Sequence, residues 1–157
     1  MRALALATVA LCVAVVSLAS AAEVTRESYV AAVEPICKAN TQANERILKG
    51  VRTEVKKGKL KAAGAQFAKA AAALNRTYAE LKAVPQPSAD AARLATWLGH
   101  VKTEAALFEK AGKALKAGEK TKAQKIVIQL THNANLANDQ VFSFNFHYCR
   151  FEPSKFT

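Results

Sequence analysis

The sequence predicts an all-α protein, an up-down-up-down four-helix bundle with an extended aromatic tail at its C-terminal end. Three observations lead there. Alanine, lysine and leucine dominate while aromatics make up only 7% of the chain, a composition that favours helix over sheet. Four stretches repeat their apolar residues at alternating spacings of three and four, which places those residues on one face of a helix. The third observation is a pair of cysteines, Cys37 and Cys149, set near the two ends of what remains once a leader is removed.

Residues 1–22 have the three parts of a secretory signal peptide. Arg2 supplies the charge, Ala3 to Leu18 the apolar run, and Ala19-Ser20-Ala21-Ala22 the small residues a signal peptidase prefers. Cys12 lies inside the apolar run and leaves with it. A lipoprotein would have to be processed at Cys12, but Leu11 stands where such signals need a small residue. Export exposes the remaining thiols to an oxidising space, so Cys37 and Cys149 are expected to form a disulfide rather than sit free or hold metal. Residues 23–157, about 135 in number, suit one domain, and no second apolar stretch approaches the roughly 20 residues that span a bilayer. The expectation is a secreted or cell-envelope protein with no transmembrane segment after cleavage.

The first helical segment carries Tyr29, Val33, Ile36, Asn40, Ala43, Ile47 and Val51 on one face and fades at Lys57-Gly58. Pro35 either kinks it or opens its main part, since proline removes a donor and crowds the preceding turn. The second runs from about Leu60 to Val84 through Gly64, Phe67, Ala71, Leu74, Tyr78 and Leu81. It stops at Pro85-Gln86-Pro87, where Pro87 biases Gln86 away from helix. Ser88 or Asp90 is placed to cap the third, whose seam is Leu94, Leu98, Val101, Ala105, Phe108, Gly112 and Leu115. The fourth begins near Glu119 or Thr121 and presents Ala123, Ile126, Val127, Leu130, Ala134, Ala137 and Val141.

After Val141 the period changes. Phe142, Phe144, Phe146 and Tyr148 alternate with period two, which reads as strand or extended tail. Length decides how the tail runs. Had the fourth helix continued to Cys149, the thiols would be staggered by about 15 Å, out of disulfide reach. The helix must stop near Val141 and the tail fold back over the bundle.

Catalytic chemistry finds little support. His100, His132 and His147 lie on separate segments without the i, i+4 partners of a metal face. No haem-attachment motif occurs, and Met1 is the only methionine. A paired Cys37 and Cys149 cannot act as nucleophiles. Asp90 and Asp139, the only aspartates, read as a cap and a polar helix position, while Gly58, Gly112 and Gly118 read as helix ends or close packing. The expectation is therefore no catalytic residue, no metal site and no cofactor. Two binding readings remain. A polar run, His132, Asn133, Asn135, Asn138, Asp139 and Gln140, would either line a small-ligand pocket in the bundle interior near Tyr78, Trp97 and Phe108, or face solvent with one or two members anchoring the tail.

Charge is the stronger signal. The chain has 23 basic and 12 acidic residues, net +11, and cleavage removes only Arg2. Lysines crowd two turns, Lys56, Lys57, Lys59 and Lys61 at the first and Lys116, Lys120 and Lys122 at the third, with Lys49, Arg52, Lys110, Lys113 and Lys125 nearby. In such a bundle these turns share one end. The other end balances Arg26, Lys82, Arg93, Arg150 and Lys155 against Glu23, Glu27, Glu80, Asp90 and Glu152. A basic pole draws polyanions and is weakened by salt. Export argues against nucleic acid, as does the lack of aromatics among the lysines on which bases could stack. Anionic envelope polymer or lipid headgroups are the partners expected, and a small-ligand carrier is the alternative.

Several features together resemble a broad group of small secreted, alanine-rich helical proteins of actinobacteria. They are the export signal, Tyr29 eight residues before Cys37, the Pro85-Gln86-Pro87 break, Leu115-Lys116-Ala117-Gly118-Glu119 at a helix turn, and the closing Tyr148-Cys149. The resemblance covers most of the chain after the leader and implies the bundle and the Cys37 to Cys149 link. It carries over no functional residue.

Overall fold

A computed structural model describes residues 23–152. The segment read from the sequence as a signal peptide, with Cys12, and Lys155 of the balanced end lie outside the described residues. Among the described residues five α-helices occur in order, α1 (Arg26–Ile47), α2 (Val51–Lys56), α3 (Leu60–Ala83), α4 (Ala91–Lys116) and α5 (Lys120–Gln140). The four long ones form the bundle, and no strand occurs among the described residues. α4 packs along α3 on one side and α5 on the other, and α1 leans on α3. α1 and α5 scarcely meet, so one long side of the bundle is unsealed.

α1 starts at a capping box that the apolar spacing does not reveal. Thr25 Oγ1 accepts from the Ser28 N–H at 3.2 Å and Ser28 Oγ accepts from the Thr25 N–H at 3.1 Å, satisfying two orphan donors of the first turn. Pro35 lies inside α1 rather than opening it. The buried line runs Tyr29, Val33, Cys37, Asn44, Leu48 and Val51, so that Cys37, Asn44 and Leu48 stand one position round from the expected Ile36, Ala43 and Ile47. Ile36 and Ile47 remain half-buried against the core, because α1 wedges between α3 and the returning tail instead of facing one neighbour. Nor is the first helix continuous to Lys57. It ends at Ile47, and Gly50 turns the chain at φ 80° before α2, a left-handed conformation that costs other residues about 1–2 kcal/mol.

α3 and α4 touch backbone to backbone. A Cβ on Gly64 would stand 2.6 Å from the Gly112 carbonyl oxygen, and one on Gly112 would stand 2.9 Å from that of Gly64. All seven expected seam residues of α4 are buried, joined by Trp97, Glu104, Leu107, Ala111 and Ala114 because this helix has neighbours on two sides. Before it, Ser88–Asp90 forms a 3-10 turn, and neither Ser88 nor Asp90 caps α4 with its side chain. Ser88 Oγ donates to Glu23 Oε1 at 3.0 Å. Asp90 is taken by Arg26 in a two-point bond of 2.7 and 3.0 Å that ties the start of α1 to the start of α4. The guanidinium holds the Asp90 carboxyl below its ordinary range.

α5 stops at Gln140, as the disulfide required, but the segment beyond it is not a strand. Phe142–Phe144 makes a 3-10 turn and Asn145 adopts a left-handed φ of 54°, reversing the chain. Phe144 and Phe146 are buried and Phe142 is 77% exposed, so the alternation marks burial of a bent segment. Phe146 packs on Trp97 at 5.6 Å and Phe144 meets Tyr29 at 6.3 Å. The tail is then held at three points. Cys37 and Cys149 form a disulfide with Cα atoms 5.0 Å apart. Glu34 accepts from the backbone N–H groups of His147 and Tyr148 at 2.8 and 3.0 Å. Asn138 exchanges two hydrogen bonds with the Phe151 backbone, at 2.8 and 2.9 Å.

Candidate functional site

The unsealed side holds two concavities. α1 turns Asn40, Thr41 and Asn44 toward the gap, a polar row that cannot zip onto α5 as an apolar seam would. The tail crosses the opening instead and becomes a wall. Behind it lies a cavity of about 350 Å³ that runs from the half-exposed rim at Asn40 and Thr41 into the core. Trp97, Val101, Glu104 and Phe108 of α4 form its floor, Phe67, Leu74 and Leu81 of α3 one side, and Leu130 of α5 the other. Its size falls within the range of small-molecule sites.

Glu104 is the unexpected residue here. Only 3% of it is exposed, and burial pushes its carboxyl up to about 7, partly opposed by a hydrogen bond from Asn133. Asn133 of α5 gives one amide hydrogen to Glu104 Oε2 at 2.6 Å and the other to the His100 carbonyl at 3.0 Å. Its oxygen must then accept, so the His100 Nδ1–H donates to Asn133 Oδ1 at 2.9 Å and the imidazole tautomer is set by that bond. The chain His100, Asn133, Glu104 staples α4 to α5 and fixes the carboxyl at the cavity floor. Two other buried polar atoms of the lining lack a protein partner, Trp97 Nε1 and Asn44 Oδ1. Buried polar atoms are seldom left so.

The spacing of Trp97, Val101, Glu104 and Phe108 was the available signal, a three-four row with a carboxylate among large apolar residues. The polar run on α5 follows the second expectation except at Asn133. Asn133 turns inward and Asn138 anchors the tail, while His132, Asn135 and Asp139 are exposed. Tyr78 and Asn135 are not part of the cavity lining, whereas Trp97 and Phe108 are.

The second concavity lies at the lysine-rich end, between α2 and α5. Val51, Val55, Leu115, Ala123 and Val127 line an apolar groove of about 720 Å³, with Ile128, 69% exposed, at its edge and Arg52, Lys56 and Lys120 along its rim. The two lysine-bearing turns do share this end, since Lys59 and Lys61 line one shallow depression with Lys116 and Gly118. Lys56, Lys57, Lys59, Lys61, Lys116, Lys120 and Lys122 are all exposed. Lys122 bonds Glu119 at 2.8 Å and Lys59 lies 3.9 Å from Glu54, pairs that trim the local field without cancelling it.

Fold and site together define an all-α four-helix bundle with a disulfide-held tail closing one side over a part-polar cavity. Among the described residues no group of three or more His, Cys, Asp or Glu could hold a metal ion, and no helix is long and apolar enough to cross a membrane. No family model, curated protein or solved structure matches the chain.

Proposed function

We propose that this protein is an exported, non-enzymatic carrier that holds a small molecule in the cavity between α1 and α5. One observation carries the reading. A bundle whose helices were selected only for packing would close this side with apolar residues, yet here a cavity of about 350 Å³ reaches the core and ends on a buried carboxyl. Its lining joins large apolar side chains of the core, Phe67, Leu74, Val101 and Leu130, to polar groups such as Asn40, Thr41, Asn44 and Glu104, which suits a small molecule with both an apolar and a polar part. The disulfide accords with export, because such a bond persists in an oxidising compartment. The chain also holds its own reporter, since Trp97 is the only tryptophan and lines the cavity.

The test is titration with phenylalkyl probes, neutral and charged, followed by Trp97 emission and by calorimetry. Binding is expected at one site per chain. It should be lost when the cavity is filled from the floor by Val101→Phe or from the rim by Asn44→Phe, in variants that keep the wild-type circular dichroism. Probes that bind both filled variants as well as the wild type would sink the carrier reading.

A second reading concerns the basic pole. The groove between α2 and α5 joins an apolar floor to a rim of cations, which suits the surface of an anionic bilayer better than a hydrophilic polymer. Ile128, at 69% exposure, is placed to enter the headgroup region while Lys56 and Lys120 meet phosphates.

A further inference from the structure

We infer that the ligand of the interior cavity is an organic cation, an amine or amidine on an apolar body, seated with its charged group against Glu104. This deepens the carrier reading and rests on it. The argument begins with charge. The chain is strongly basic, net +11, yet the most buried ionisable residue of the cavity lining is a carboxyl, Glu104, while Arg150, the one lysine or arginine among the described lining residues, is exposed. The deepest of these groups is the most constrained. Glu104 is almost fully buried, and among the described residues its one hydrogen bond comes from a neutral amide, Asn133, and its charge has no ionic partner. A buried carboxylate without a counter-charge is costly, and a ligand cation supplies what is missing.

Of the two unpartnered polar atoms of the lining, Trp97 Nε1 is a donor that the cation leaves unanswered, and the other favours it. Asn44 Oδ1, at the α1 wall of the same cavity, is an acceptor without a donor. A protonated amine carries up to three hydrogens and an amidinium four, enough to reach two acceptors, whereas a carboxylate or phosphate has none to give. The apolar part of the ligand would lie among Phe67, Leu74, Val101 and Leu130. The volume suits a body of about ten to fifteen non-hydrogen atoms. His100 stands behind Asn133 and holds its amide in the orientation that presents N–H to Glu104, so His100 is a positioning residue and touches no ligand.

The experiment compares three probes of one shape that differ in the terminal group, phenylbutylamine, phenylbutanol and phenylbutyrate, by calorimetry and Trp97 emission at about pH 8, where Glu104 is ionised. The amine is expected to bind at least about tenfold more tightly than the alcohol, and the carboxylate more weakly than either. Glu104→Gln preserves size and the bond to Asn133, and should abolish the preference while leaving the alcohol unchanged. Glu104→Asp, shorter but still charged, should keep part of it should the Gln variant fold poorly. Equal binding of amine and alcohol, a preference for phenylbutyrate, or an amine preference that survives Glu104→Gln would each overturn the cation assignment while leaving the carrier reading intact. No binding by any probe, or binding unaffected by Val101→Phe, would remove both.

Discussion

Glu104 concentrates the residue-scale physics. Its carboxyl titrates near 7 in the folded chain against an ordinary value of 4.5, so between those values the folded state holds a proton that the unfolded state has released. Its contribution is complete below about pH 4.5 and is lost as pH rises to about 7, amounting to about 3 kcal/mol across the window. The facing groups are few. Asn133 of α5 is neutral, His100 acts through it, and the charged residues of the lining, Glu45, Arg150 and Glu152, are exposed at the rim. Thermal unfolding of wild type and Glu104→Gln across about pH 4 to 8 checks this. The two should agree in acid, and the variant should be the more stable above neutrality. Parallel curves over the whole range would mean that Glu104 does not carry the effect. Asp90 acts in the opposite sense, since Arg26 lowers it, so its contribution is present above the ordinary aspartate range and disappears in stronger acid.

At the scale of elements, the α3–α4 contact is the strictest. Gly64 and Gly112 bring two helix backbones into contact, and a methyl on Gly64 would meet backbone atoms of Gly112 and Lys116 that cannot rotate away. Gly64→Ala should destabilise by about 1 to 3 kcal/mol, the usual cost of forcing extra volume into a packed contact. Gly99→Ala, on an open face of α4 with nothing within 4 Å of the new carbon, should instead stabilise by about 0.5 to 1 kcal/mol. Denaturant midpoints of the two variants give the answer, and a neutral Gly64→Ala would refute the contact. The tail shows how an element can be legible in outline and opaque in detail. Its departure from helix after Val141 is dictated by the period change of the aromatics and by the reach of a disulfide. Its anchorage is not, because Glu34 binds backbone N–H groups more than a hundred residues away, and a lone glutamate on a helix carries no mark of such a partner. The break before α2 is hidden in the sequence because Val51 keeps the apolar spacing across Gly50, whose positive φ the repeat does not encode.

The whole molecule is asymmetric in charge and in closure. Its lysine-bearing turns meet at one end because antiparallel helices with short connections return there, and the groove at that end adds apolar surface to the cations. Vesicles rich in phosphatidylglycerol should therefore sediment the protein at low salt and release it as ionic strength rises, whereas phosphatidylcholine vesicles should not. Changing Lys56, Lys57, Lys120 and Lys122 to Gln should weaken the binding, and Ile128→Asp should weaken it further by removing the apolar contact. Binding indifferent to salt and to both sets of changes would dismiss the pole as a contact surface. Closure of the other side depends on a covalent link that spans 112 residues, which in the chain-entropy model stabilises by about 4 to 5 kcal/mol.

The sequence by itself determined the helical class, the positions of the long helices apart from the break that ends α1, the end of α5, the pairing of Cys37 with Cys149 and the gathering of lysines at one end. These rest on periodicity, chain reach and connection length, which are properties of local stretches or of simple geometry. Only the tertiary structure decided that α1 and α5 stay apart, that the tail walls a cavity between them, and that Glu104 and Asn133 meet across two helices at its floor. Such features depend on the angle at which each helix meets its neighbours, and that angle is set by packing summed over the molecule, with Gly64 against Gly112 as its tightest point.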